Sequence, residues 1–226
     1  MDIHKPKPWH GIREFLKEYA IIVIGVLTAL GAEQAVEWLH WRHEIAEAQN
    51  VLGREITYNI KALKRMDQQN SCLLERMDAL AAWASGTGPR PVGAVRMPLN
   101  YVLQTHAWEV ANTGQVTSHF PLETKILYAD LFTRFDNLRD SINDERRAWA
   151  QIVALANQQK PDAEELRGLR EAIGLARVWE ALRRNNVDLV SGPGSRMAVD
   201  GPGPPPLPPS GNLYFAPCAP ISPDTR

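Results

Sequence analysis

Proline is absent from Gly11 to Trp83, in a chain that carries 17 prolines. Proline removes a backbone donor and breaks helices, so nothing in that stretch forces a helix to stop. Cysteine is scarce. Cys72 and Cys218 are the two in the chain, too few for a disulfide scaffold; they can pair in an oxidising compartment or stay as free thiols. An excess of one charge is missing too. The formal net charge of −1 gives no basic face of the kind nucleic acid requires. No Gly-rich loop leads into Lys-Ser or Lys-Thr, and no Gly-x-Gly-x-x-Gly or Gly-x-Ser-x-Gly occurs; these motifs mark phosphate cradles and nucleophile elbows. Gly86-Thr87-Gly88 reads as a helix-breaking loop without a phosphate lysine. No stretch alternates with the period of two that a half-buried strand needs.

What is present is helical in pattern. The 226 residues are 44% apolar and 23% charged, enough for one packed domain with tails. From Tyr19 to Ala32 the chain reads YAIIVIGVLTALGA, 14 residues without a charge. A bilayer core takes about 20 residues of helix. The flanks extend the run: Phe15 and Leu16 before it, Ala35, Val36 and Leu39 after it, with the Lys17 stem able to snorkel. Trp9, Trp38 and Trp41 fall where an interfacial aromatic belt belongs. Lys5, Lys7, Arg13 and Lys17 precede the run, while Glu33, Glu37, Glu44 and Glu47 follow with Arg42 as the one base. The positive-inside rule then puts the N-terminus in the cytoplasm and the body outside it. Two rival readings exist: a signal peptide cleaved near Ala29-Leu30-Gly31, and a buried core helix of a soluble protein. Gly25, Ala29 and Ala32 form a small-residue face on which membrane helices can approach, although such residues are common in any membrane helix.

Beyond the anchor the pattern becomes amphipathic. Leu52, Ile56, Asn59, Leu63, Met66, Asn70, Leu73, Met77, Leu80 and Ala84 step by four and three, a heptad seam. It predicts one helix running from the membrane to Trp83 or Ala84, stopped by Gly86, Gly88, Pro89 and Pro91. A second helix is expected from Leu99 to Asn112, ended by Gly114. A third starts near Pro121 and carries the seam Tyr128, Leu131, Phe135, Leu138, Ile142, Glu145, Trp149, Ile152 and Ala156. A fourth runs from about Pro161 to Val187, with Asp162, Glu164 and Glu165 at its positive end. Leu166, Leu169, Ile173 and Ala176 give it one stripe, and Leu175, Trp179 and Leu182 another. Helices with such stripes must bury them against each other, most simply as an antiparallel bundle. Asn59 and Asn70 sit at seam positions. A polar residue there can set the register of a dimeric coiled coil, or bond locally when both seams pack in one chain.

Ser191 onward is rich in proline and glycine and is expected to be a disordered tail or spacer. Its Pro202–Pro209 run favours polyproline II, which can dock in aromatic grooves. Asn212-Leu213-Tyr214-Phe215 is its one apolar cluster.

The chemistry is thin. Glu37 and His40 form a Glu-x-x-His pair, joined by His43, Glu44 and Glu47. Di-iron bundles need two such motifs plus two further glutamates; here there is one copy, and His106 with Glu109 reverses the order. The histidines beside Trp9, Trp38 and Trp41 fit an interface better. The corner Trp108-Glu109-Val110-Ala111-Asn112-Thr113-Gly114-Gln115-Val116, leading to Phe120-Pro121, is the most distinctive stretch of the body. It reads as a packed helix–turn–helix corner.

The stretch from Tyr19 to Arg42 resembles the N-terminal anchor of a group of uncharacterised bacterial single-pass membrane proteins, in which an Ile/Val/Gly/Leu/Ala run leads into Trp and charged residues. The corner Ala107–Val116 and the helix with Tyr128 also resemble theirs. Glu33-Gln34-Ala35 departs from their Gln-Ile-Asn type of sequence, and the tail has no counterpart. The resemblance implies an uncleaved anchor in a bacterial envelope and no activity.

The expected architecture is therefore all-α: a cytoplasmic segment 1–18, a transmembrane anchor 19–39 in the bacterial inner membrane, an antiparallel helical body 40–190 outside the cytoplasm and a disordered tail 191–226. No catalytic residue, cofactor or metal ligand is expected. The expected partners are the lipid bilayer, a second copy of the chain or another envelope protein, and not nucleic acid. A ligand-sensing bundle is the alternative role, a metal-dependent enzyme a more distant one.

Overall fold

The computed structural model describes residues 11–91 and 93–205. Lys5, Lys7, Trp9 and His10 lie outside the described residues, as do the tail from residue 206, its Asn212–Phe215 cluster and Cys218. The described residues form helices α1 (Ile12–Asp67), α2 (Asn70–Ala84), α3 (His106–Thr113), α4 (Leu122–Ala156) and α5 (Ala163–Met197), with a 3₁₀ turn at Val116–His119 and no strand among them. The chain divides into two compact units, Met1–Glu47 and Ala48–Arg226. Helix α1 contributes to both.

In the first unit, α1 is long and apolar enough to cross a membrane, and its most apolar window is 0% buried. Ile21, Ile22, Ile24, Leu27, Leu30, Val36 and Leu39 all stand exposed. Such exposure is consistent with a membrane span and unlike a core helix, which buries such side chains. Residues 19–39 span about 32 Å at 1.5 Å per residue, close to the roughly 30 Å of a bilayer core. Thr28 Oγ1 donates to the Ile24 carbonyl at 2.7 Å, so its hydroxyl needs no water.

The second unit is an antiparallel bundle. All ten seam positions from Leu52 to Ala84 are buried, and so are all nine on α4. Against α5, Ala84 meets Arg170, Asp78 meets Arg177, Asn70 meets Arg183 and Ile60 meets Gly194. One number falls as the other rises, so α1 and α2 together form one rail antiparallel to α5. Helices α4 and α5 are antiparallel by the same reasoning, with Leu155 beside Gly168 and Glu145 beside Arg183. Asp162 starts α5 with a capping box: it accepts from Glu165 N–H at 2.8 Å, while Glu165 accepts from Asp162 N–H at 2.7 Å.

Three sequence expectations need correction. The rail is not one helix. It breaks at Gln68–Gln69, where Gln69 N–H bonds back to Met66 rather than one residue further. The seam passes through the break in phase, which hid it from the periodicity. Residues 99–105 carry no regular secondary structure and are not helical. Side-chain amides hold both backbone groups of three residues between Val95 and Gln104. Gln69 bonds to Leu99 N–H and C=O at 3.2 and 3.3 Å, Asn59 to those of Gln104 at 2.8 and 2.7 Å, and Asn157 to those of Val95 at 2.8 and 2.9 Å. Paired this way the backbone has its partners without a helix, and Pro98 disfavours helical geometry at Met97. Only His106–Thr113 remains helical.

The third correction concerns the end of α5. The helix runs through Pro193 to Met197, past the expected tail boundary at 190. Val190 and Gly194 are buried, and a Cβ on Gly194 would come within 2.8 Å of Ile60 Cδ1. Close packing there overrides local propensity. Residues 199–205 then run beside α1. Thr57 Oγ1 donates to Val199, Lys61 Nζ to Gly201 at 2.8 Å and Arg65 to Pro204 and Pro205. Gly53, Thr57, Lys61 and Arg65 recur every four residues, one stripe of a helix. Cys72 on α2 is disulfide-bonded.

Candidate functional site

The sequence candidates stay dispersed. Glu37, His40 and His43 are exposed in the first unit. The His40 ring lies 5.2 Å from the Trp41 ring, and the Arg42 guanidinium stands 5.2 Å over Trp38. Such cation–π and aromatic pairs suit an interfacial belt. His106 and Glu109 form an exposed pair, Nδ1 to Oε2 3.8 Å, in the second unit. Among the described residues no group of three or more His, Cys, Asp or Glu is arranged to hold a metal ion. Asn59 and Asn70 bond within the chain, as the single-chain packing expects.

The distinctive corner is an aromatic stack. Trp108 lies 6.2 Å from Tyr128 and 5.8 Å from Phe132, and Phe120 lies 5.9 Å from Tyr128. Glu55 reaches from α1 to accept from Ala107 N–H at the start of α3, at 3.1 and 3.2 Å. Burial raises the Glu55 carboxyl above its ordinary range, against the Ala107 hydrogen bond and His106, which lower it.

Chemistry concentrates instead inside the bundle. Arg183 is 2% exposed, Glu145 1% and Glu180 2%. Arg183 Nε donates to Glu145 Oε2 at 2.9 Å, and Nη2 donates to Asn70 Oδ1 at 2.6 Å. Asn70 in turn donates to Asp67 Oδ1 at 2.6 Å. One guanidinium thus ties α5 to α4 and to the start of α2, next to the break in the rail. Arg183 Nη1, Trp149 Nε1 and Glu180 Oε1 are buried and make no hydrogen bond; Glu180 pairs with Arg184 at 3.6 Å. Burial pushes the Glu145 carboxyl above its ordinary value of 4.5; Arg183 opposes that rise and Glu180 adds to it. Buried charges of this kind are expensive unless paired.

The sequence reading placed Glu145 on a seam but passed over Glu180 and Arg183. The signal was there. Leu169, Ile173, Ala176, Glu180 and Arg183 continue one stripe by fours and threes, so both charges point where apolar residues are expected. No protein-family model matches the chain, no curated protein is similar to it, and no solved structure matches it.

Proposed function

We propose that the protein is a single-pass envelope protein of a bacterium, anchored by residues 19–39 with its N-terminus in the cytoplasm. The helical body outside the cytoplasm acts as a structural or protein-interaction module. The observation that carries this reading is the wholly exposed apolar length of α1, which water would not tolerate and lipid would cover. The disulfide at Cys72 suits an oxidising compartment. The body itself offers a stripe to a partner: Leu175, Val178, Leu182 and Leu189 on α5 are 51%, 54%, 41% and 52% exposed. Leu175 and Leu182 belong to the second α5 stripe expected from the sequence, whose Trp179 is half-buried. The reading assigns no catalysis. Crosslinking in intact membranes tests it. A self-adduct or a reproducible adduct with another envelope protein, lost on Leu182→Glu, is expected. Recovery of monomer alone at every crosslinker length contradicts it.

A further inference from the structure

Glu145 on α4 and Glu180 on α5 are two buried carboxylates near one buried guanidinium, Arg183, which bonds to Glu145, while Glu180 pairs with Arg184. The charged neighbours acting on Glu145 are Arg183 and Glu180, both from α5, with Arg184 beside Glu180. From the rail the cluster meets neutral Asn70, which carries Asp67. Arg76, a buried arginine of the rail, has Arg96 as the charged neighbour that lowers its pKa further, after burial.

We infer that this cluster is a proton-sensitive latch on the break between α1 and α2. With both carboxylates ionised, Arg183 bridges Glu145 and Asn70 and holds the first turn of α2. When Glu145 takes a proton it ceases to be the anionic partner, and Glu180 becomes the one carboxylate left to balance Arg183. Glu180 and Arg183 stand three apart on one helix, the spacing at which side chains meet. The shift would pair two groups otherwise left without a hydrogen bond, Arg183 Nη1 and Glu180 Oε1. It draws Nη2 away from Asn70 and frees the turn at Gln68–Gln69. No other chemistry is involved: one proton is gained from solvent and one ion pair is exchanged for another. The raised pKa of Glu145 supports the direction, since the proton then binds under milder acid than an ordinary carboxylate requires.

Amide hydrogen exchange of the full chain in detergent, followed by mass spectrometry, reads this directly. Rates for peptides covering residues 67–73 are corrected for intrinsic pH dependence. Exchange there should rise by about tenfold on acidification, the factor that about 1.4 kcal/mol of linkage carries, with peptides of α4 unchanged. Glu145→Gln should exchange fast at every pH, and Glu180→Gln should show no acid-induced rise. Corrected exchange in the wild-type chain that does not change with pH overturns the latch, and so does a Glu145→Gln chain that tracks the wild type. If Glu145→Gln fails to fold by circular dichroism, the wild-type pH series and Glu180→Gln decide alone.

Discussion

Arg183 shows how much one side chain can hold. It is buried, with Nε on Glu145 and Nη2 on Asn70, linking α5, α4 and α2. A buried ion pair adds little net stability, but removing one member leaves the other uncompensated, at about 3–5 kcal/mol. Glu145→Ala should therefore destabilise the body by that amount in urea unfolding of the detergent-solubilised protein. Combined with Arg183→Ala, the loss should fall short of the sum of the singles by about 0.5–3 kcal/mol. Simple additivity would contradict the pairing. The pH dependence follows from the same groups. Glu145 and Glu55 have folded pKa values raised above the ordinary 4.5, so the folded state binds protons more tightly than the unfolded one. Their contribution is complete below that ordinary value and is lost as pH rises through the raised ones. The thermal midpoint should fall across that window, and Glu145→Gln should flatten the fall; a midpoint that rises there contradicts the assignment.

At the scale of elements, the side-chain amides and one glycine organise the path of the chain. Asn59 and Gln69 each hold both backbone groups of one residue in the irregular segment 99–104. Asn59→Ala or Gln69→Ala leaves those groups without partners, at about 1–3 kcal/mol for each group that stays buried. Faster proteolysis of the segment should accompany the loss, and unchanged cleavage would contradict the clamp. Gly53 lets residues 197–199 approach α1. A Cβ there would lie 2.9 Å from the Met197 carbonyl oxygen, and a backbone atom cannot swing aside as a side-chain tip can. Gly53→Ala should cost about 1–3 kcal/mol and speed amide exchange at Val199, whose N–H reaches Gly53 O at 3.4 Å. These elements also show what the sequence made legible. The seams on the rail and on α4 were readable because every apolar step of four or three faces the core. The break at Gln69, the irregular segment and the helical Gly192-Pro193-Gly194 were not. Each depends on a partner more than 25 residues away in sequence: Leu99 for Gln69, Asn59 for Gln104, Ile60 for Gly194. Periodicity reports a helix face and says nothing of such partners. The charged cluster was half legible, since Glu145 stands on a seam in plain view while its partners continue a stripe that was followed only to Ala176.

For the whole molecule, an all-α body is joined in sequence to a helix whose apolar length stays uncovered. A chain with such a length in water would expose a continuous apolar surface of the kind that marks a membrane or protein contact. The measurement that tests the central claim most directly is alkaline carbonate extraction of membranes from cells carrying the full chain, with a topology reporter at its C-terminus. The account predicts that the protein stays in the pellet at full length and that the reporter is active only outside the cytoplasm. Full-length protein in the supernatant, or a reporter active in the cytoplasm, would contradict it.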